Sequence, residues 1–433
     1  MPGGDFHPSD RVHSQAHERP PPVADVALEL AIAILRPPHG AAATFSAEHH
    51  FISGLRWGRF PGGSLFDNRQ TSDVNTEKCA VRKEPYDFLK ALQETPSPSG
   101  FEQPVQKIVR KRMKPFADSI ETDMHGNVIV GLNPKGSPRV MLAGHCDQIG
   151  MMVRYIDDKG FIFFAQIGGL DPSIIPGSRV VVHTRHGPVD GVIGRKPVHL
   201  MKPDERGAKI ELRELWIDIG AKDKKEVEQV VSIGDPVTFR LDMMHLGDDF
   251  VSCPGFDNKS GVWVVMEALR LCATKKIKCA LFAVSTVQEE IGLRGAKTSS
   301  HGVDPKVGIA VDVTHATDYP DLDKRTTGDL KMGAGPVIAR GANINPKLEK
   351  LLFKTAKAKR IAHQTEAAPG GTGTDANAIQ LTRAGVATAL VSIPNRYMHT
   401  PVEIVSLSDL RSTAKLIAET VATIDRKTNF IPD

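Results

Sequence analysis

The amino-acid sequence predicts an α/β protein: a sheet covered by helices on both faces, with a separate β domain set into it. Short apolar runs without alternation read as strands buried on both sides. They are Arg139-Val-Met-Leu-Ala143, Cys279-Ala-Leu-Phe-Ala-Val-Ser-Thr286, Val307-Gly-Ile-Ala-Val311 and Ala387-Thr-Ala-Leu-Val-Ser-Ile393, with helical periodicity between them. The stretch after the first run instead alternates in strand fashion for about 90 residues, too long for an unstructured loop. A chain of 433 residues with 40% apolar content is long enough for more than one domain and a sizeable core.

In chain order, residues 1–82 are rich in Pro, His, Gly and Ser, with Pro20-Pro-Pro22 and Pro37-Pro-His-Gly40, and are expected to be disordered. Residues 23–35 are apolar but carry Asp25 and Glu29, and they are too short to cross a bilayer of about 30 Å. They also lack the basic start and small-residue cleavage site of a secretion signal. A start placed too far upstream would account for the segment, with Val81 beside Arg82 as the alternative. Residues 83–153 open the main domain and residues 247–433 complete it.

Residues 154–246 form the inserted β domain, where Gly160-Phe-Ile-Phe-Phe-Ala-Gln166 and Ser178-Arg-Val-Val-Val-His-Thr184 alternate between turns at Asp157-Asp-Lys-Gly160 and His186-Gly187. Phe161, Ile162, Phe163 and Phe164 exceed what one small barrel easily hides, which predicts an interface between subunits.

Charge excludes some partners. Fifty-five Lys and Arg against fifty-one Asp and Glu leave a mild positive balance, and the one basic run, residues 107–114, spreads round a helix as a solvated face rather than a nucleic-acid patch. No membrane partner is expected. Cysteines 79, 146, 253, 272 and 279 show no paired spacing, which suits a reducing, cytoplasmic compartment.

Each buried run delivers a polar residue at its end. His145 follows the first, Glu289 and Glu290 the second, Asp312 the third and His399 the fourth, while Asp257 opens a helical segment. Sites in open α/β sheets lie beyond the carboxyl ends of strands, so these residues are expected to converge on one crevice. Two imidazoles and three carboxylates can hold two divalent ions, one carboxylate bridging, with positions left for water; this is the chemistry of co-catalytic hydrolases. Successive residues at a strand end point in opposite directions, which leaves Glu289 free to move protons while Glu290 faces the ions. The structural alternatives are that Asp257 and Asp375 cap helices, and that His301, His315 and His363 are surface or outlying residues.

The motifs Gly144-His-Cys-Asp-Gln-Ile-Gly150, Gly255-Phe-Asp-Asn-Lys-Ser-Gly261, Gln288-Glu-Glu-Ile-Gly292, Val311-Asp-Val-Thr314, Gly373-Thr-Asp-Ala376 and Pro394-Asn-Arg-Tyr-Met-His-Thr-Pro401 occur in register. Together they resemble the successive motifs of the tetrahedral aminopeptidases, a family of glutamyl, leucyl and lysyl aminopeptidases whose members often carry an older cellulase or endoglucanase label. The resemblance covers roughly residues 83 to 425. It implies a mixed-sheet core flanked by helices, and an inserted PDZ-like β-barrel that joins subunits; Gly168-Gly-Leu-Asp171 and Trp216-Ile-Asp-Ile-Gly220 resemble pieces of that barrel.

Carried over by position, the resemblance implies two divalent metal ions per subunit. Asp257 bridges them, His145 and Asp312 complete one site, and Glu290 and His399 the other. Glu289 is the general base acting on a metal-bridged water, and Asp147 orients His145 or tunes its site. Cys146 and Gln148 depart from the family, which usually has Met and Glu there. Mixed imidazole and carboxylate donors suit zinc first, with cobalt or manganese possible.

The expected substrates are short peptides losing their amino-terminal residue, and the expected assembly is a twelve-subunit tetrahedron of dimers. A deacylase on the same two-metal scaffold is the alternative, followed by a non-catalytic PDZ-like interaction protein. Glycosidase chemistry is excluded, because it needs two free carboxyls about 5–9.5 Å apart.

Overall fold

In the computed structural model the described residues are 83–433. The expectations for residues 1–82, including Cys79 and the start near Val81, lie outside them.

The main domain is built on an 11-stranded mixed sheet. It opens with β1 (Ser119–Thr122), β2 (Val128–Leu132) and β3 (Arg139–His145), then departs into β4 (Gly150–Ile156), β5 (Ile162–Ile167), β6 (Arg179–Thr184), β7 (Gly187–Arg195), β8 (Leu215–Asp218) and β9 (Pro236–Phe239). It returns with β10 (Met244–Leu246), β11 (Phe250–Ser252), β12 (Ala280–Thr286), β13 (Val307–His315), β14 (Val337–Gly341), β15 (Gln364–Ala368), β16 (Ala387–Arg396) and β17 (Ile404–Ser406).

The sheet order is β1-β2-β12-β3-β13-β16-β17-β11-β10, with β14 and β15 branching from β16. The four apolar runs of the sequence are the central strands β12, β3, β13 and β16, all mutually parallel. Almost every residue in them is buried, because helices cover both faces.

The helices are α1 (Lys83–Gln93), α2 (Gln103–Met113), the short α3 (Lys224–Glu228), α4 (Phe256–Ala273), α5 (Arg294–Val303), the single turn α6 (Lys324–Thr327), α7 (Pro346–Ala358), α8 (Asp375–Gln380) and α9 (Leu407–Val421). Gly144 in β3 faces the backbone of α4 at Gly261, whereas Gly308 in β13 faces Ile379 of α8. The β3–β13 register pairs Gly308 with Met141, of opposite parity to Gly144, so α4 and α8 lie on opposite faces. α4 is buried on nearly every side, as its position between sheet and outer helices requires: Trp263 is buried, with Nε1 donating to the Pro85 carbonyl at 2.7 Å. The basic run lies on α2, where Arg112 pairs with Glu84 and, at 3.1 Å, with Glu267.

Strands β4 to β9 close a six-stranded antiparallel barrel with its own core of Met151, Ile162, Val180, Ile193, Ile217 and Val237. The expectation that residues 161–164 form an exposed apolar face is corrected here. Ile162 and Phe164 point into the barrel, Phe161 packs edge-on to Trp216, and Phe163 tilts against Tyr155. A closed barrel hides alternate residues of each strand, and a neighbouring ring covers much of what remains. The large apolar side chains left exposed in this region are instead Met152, Tyr155, Ile174, Val192, Val198, Leu200, Val230 and Ile233.

Candidate functional site

The parallel centre of the sheet brings its carboxyl ends together, with Thr286 of β12 level with His145 of β3 and Asp312 carried by β13 beside them. Asp257 enters from α4. Its backbone angles are φ −77° and ψ 103°, outside the helical region, so it stands ahead of the regular helix and its side chain turns to the strand ends. It is not a cap; Gly255 holds the N-cap position. His399 follows β16 in a loop at φ 61°.

Two triads result, His145–Asp257–Asp312 and Asp257–Glu290–His399, each with ligand atoms within 4.8 Å of one another. Asp257 belongs to both. Its Oδ1 lies 3.2 Å from His145 Nε2 and its Oδ2 3.2 Å from His399 Nε2. Asp312 Oδ1 is 3.6 Å from His145 Nε2, and Glu290 Oε2 is 3.4 Å from His399 Nε2. Glu289 stands in neither triad; its Oε2 is 3.7 Å from His145 Nε2. The loop after β5 closes one side, where a Cβ on Gly169 would come within 3.0 Å of His399 Nδ1.

A ring of buried groups holds these residues. Asp147, wholly buried, accepts the Glu289 N–H on Oδ1 at 3.0 Å, and on Oδ2 the Glu290 N–H at 3.2 Å and the Ser99 hydroxyl at 2.7 Å. It therefore sets the backbone at the Glu289–Glu290 corner. His145 Nδ1 lies nearer the Asp147 carbonyl, at 3.1 Å, than its carboxylate, at 3.5 Å. Glu403 accepts from the Asp257 N–H at 2.8 Å, and Asp375 accepts from the Thr286 hydroxyl at 2.6 Å. Thr374, not Asp375, caps α8. Gln148 accepts from the buried Lys259 ammonium at 2.5 Å.

Electrostatics show what the cluster lacks. Burial pushes Glu289 up to about 10, aided by Asp312, Asp375 and Asp257, and burial together with Asp257 raises Glu290 well above the usual range. Asp312 is raised by burial as well. Burial alone would lower His145, but Glu289, Asp147, Asp257 and Asp312 outweigh it and raise it well above its ordinary value. His399 is raised by its contact with Asp257. Protons on these groups stand in for missing positive charge. No Lys or Arg among the described residues pairs with the two triads, and Glu290 Oε1 is buried without a partner. Hard, mixed N and O donors around an unneutralised buried negative cluster fit divalent cations.

Glu403, Asp375, Ser99 and Lys259 were not assigned to this arrangement from the sequence. Glu403 comes two residues after the Pro394–Pro401 motif, and Lys259 and Asp375 lie inside quoted motifs, so position was the available signal; their partners are far away in the chain. His301 and His315 are exposed, and His363 packs edge-on against Phe353. Cys146, Cys253, Cys272 and Cys279 are free and buried. Among the described residues no helix is long and apolar enough to cross a membrane.

A profile of the M42 glutamyl aminopeptidase family matches residues 126–416. The chain is 38% identical to the lysyl aminopeptidase of Pyrococcus furiosus over 335 residues, covering 76% of this chain and 95% of that protein. The TET aminopeptidase of a marine sediment archaeon of the Thaumarchaeota superposes with a TM-score of 0.77 at 34% identity, covering 79% of this chain and 97% of that one. The TET1 peptidase of Pyrococcus horikoshii, which can assemble into a tetrahedron or a large octahedral shell, has a TM-score of 0.70 at 32% identity, covering 78% and 100%. The chain belongs to the M42 glutamyl aminopeptidase family and is a metal-dependent aminopeptidase, a hydrolase of peptide bonds.

Proposed function

We propose that the chain removes amino-terminal residues from short peptides with two divalent ions, one held by His145, Asp257 and Asp312 and the other by Asp257, Glu290 and His399. The observation that carries this reading is the division of the Asp257 carboxylate, one oxygen toward each imidazole at 3.2 Å. When bound, the ions polarise the scissile carbonyl and make water acidic enough to ionise near neutral pH. Zinc suits the donor set first, with cobalt and manganese following.

Glu289 is the general base. It belongs to neither triad, and its Oε2 lies 3.7 Å from His145 Nε2, so its carboxylate is left to move protons. Asp147 makes this possible by pinning the Glu289 and Glu290 N–H groups, so that the two successive side chains take separate directions. Glu403 fixes the backbone of Asp257 in the same way.

The same reading makes the chain a homo-oligomer joined through its barrel; the similar Pyrococcus horikoshii peptidase can assemble into a tetrahedron or a large octahedral shell. The exposed Met152, Tyr155, Val192, Val198 and Leu200 supply apolar surface for it. Four free, buried cysteines suit a reducing, cytoplasmic setting.

The test is Glu289→Gln. Turnover of aminoacyl p-nitroanilides should fall by about 10²–10⁴-fold, while metal content, measured by mass spectrometry, stays at the wild-type level. Wild-type turnover in this variant would refute the assignment. Wild-type enzyme that cleaves N-acylated amino acids but no free aminoacyl amide would refute the aminopeptidase reading.

A further inference from the structure

We propose that Glu366 gives the crevice a preference for peptides whose first residue carries a cationic side chain, Lys or Arg. The inference rests on the aminopeptidase reading above and extends it to substrate class.

Glu366 lies in β15, on the branch of the sheet that leaves β16. Its Oε1 accepts the Thr314 hydroxyl at 3.1 Å. Thr314 is two residues beyond Asp312 in β13, so the two side chains share one face of the sheet, about 7 Å apart along the strand. That puts Glu366 on the Asp312 face of the sheet, one hydrogen bond from a residue two positions along the same strand, where we assign its carboxylate as the partner of a lysine side chain extended from the triads.

The neighbouring carboxylates are engaged. Asp257, Glu290 and Asp312 form the triads, and Asp147 accepts three hydrogen bonds. Glu403 holds the Asp257 N–H, Asp375 holds Thr286, and Asp318 is paired with Arg396 at 2.8 Å. Glu366 has the Thr314 hydrogen bond and no Lys or Arg ion pair among the described residues. It is half-buried, and burial raises its proton affinity. The titratable group nearest to it in the chain of β13 is the exposed His315, the residue after Thr314. A half-buried carboxylate without a counter-ion is an unfavourable state that an incoming ammonium or guanidinium relieves. The α-amino group of a substrate is common to all peptides; only the side chain distinguishes Lys and Arg from Leu or Glu.

The experiment measures kcat/KM for Lys, Arg, Leu and Glu p-nitroanilides on the metal-loaded full chain and on Glu366→Gln. The wild type should favour Lys and Arg over Leu by about tenfold or more, and Glu366→Gln should lower the Lys and Arg values about 10- to 100-fold while Leu changes by less than about twofold, as expected for losing a charge-assisted hydrogen bond. Glu366→Lys should shift preference toward Glu. A wild-type preference for Leu or Glu, or an equal loss on all four substrates in Glu366→Gln, would overturn the inference and leave the aminopeptidase reading standing. No hydrolysis of any of the four by metal-loaded wild type would overturn both.

Discussion

Replacing Gly144 with Ala tests whether the close approach of β3 and α4 sets the geometry of the site. A Cβ at Gly144 would lie 2.6 Å from the Gly261 carbonyl carbon, 2.8 Å from its oxygen and 2.8 Å from the Val262 nitrogen. All three are backbone atoms of the buried α4, so no side chain can swing aside. Ordinary contact begins at 3.4 Å, and the helix must retreat by 3.4 − 2.6, or roughly 0.8 Å, to accept an overpacked methyl, which typically costs about 1–3 kcal/mol. Gly144 immediately precedes His145, and Gly261 follows Asp257 by four residues at the start of the regular part of α4. The displacement therefore opens the His145–Asp257 approach, now 3.2 Å. Misplacing reacting groups by about 1 Å costs on the order of 10²-fold in rate.

Gly144→Ala is thus expected to melt a few degrees lower, to hold less metal, and to lose about two orders of magnitude in kcat toward aminoacyl p-nitroanilides. Gly302→Ala is the control, because that glycine sits exposed in α5 with nothing within 4 Å of its missing Cβ. It should leave activity unchanged and melting unchanged or slightly raised. Wild-type melting and turnover in Gly144→Ala would refute the packing argument.

Two further outcomes follow from the same geometry. Asp147→Asn leaves one acceptor oxygen for three donors, so at least one of the Glu289 N–H, the Glu290 N–H and the Ser99 hydroxyl is stranded in a buried site. That should cost about 1–3 kcal/mol in denaturant unfolding of the metal-free protein and weaken metal binding about tenfold or more; unchanged unfolding would count against it. Metal loading should be proton-linked. His145 and His399 are raised by neighbouring carboxylates, so the metal-free site holds protons near neutral pH that must leave when cations bind. Affinity should therefore rise with pH through the neutral range, and calorimetry in buffers of different ionisation enthalpy should show proton release; a pH-independent affinity would contradict it.

Much of the fold was legible because the signals are local. A strand covered on both faces must be apolar throughout, whatever it pairs with, and the four runs that became β3, β12, β13 and β16 show this in a few residues each. The polar residue ending each run stands out against that background, and parallel pairing then carries all the strand ends to one edge of the sheet. Inside the insertion, alternation marked strands but did not say which face would be covered. The apolar residues 161–164 were read as an interface, and closure of the barrel buries Ile162 and Phe164 instead.

The sequence by itself determined the chemical types available, two imidazoles and two carboxylates beyond the apolar runs, Asp257 at the head of a helix and a spare Glu289, because these depend on composition and local order. Only the tertiary structure decided how they are placed relative to one another. The hydrogen bonds that fix the site join residues far apart in the chain: Asp147 to Glu289, Asp257 to Glu403, Thr286 to Asp375 and Thr314 to Glu366. No local pattern encodes such a pairing, since any buried carboxylate can accept from any donor brought within about 3 Å. The choice is made by the order in which the strands join the sheet and by the packing of α4 against it.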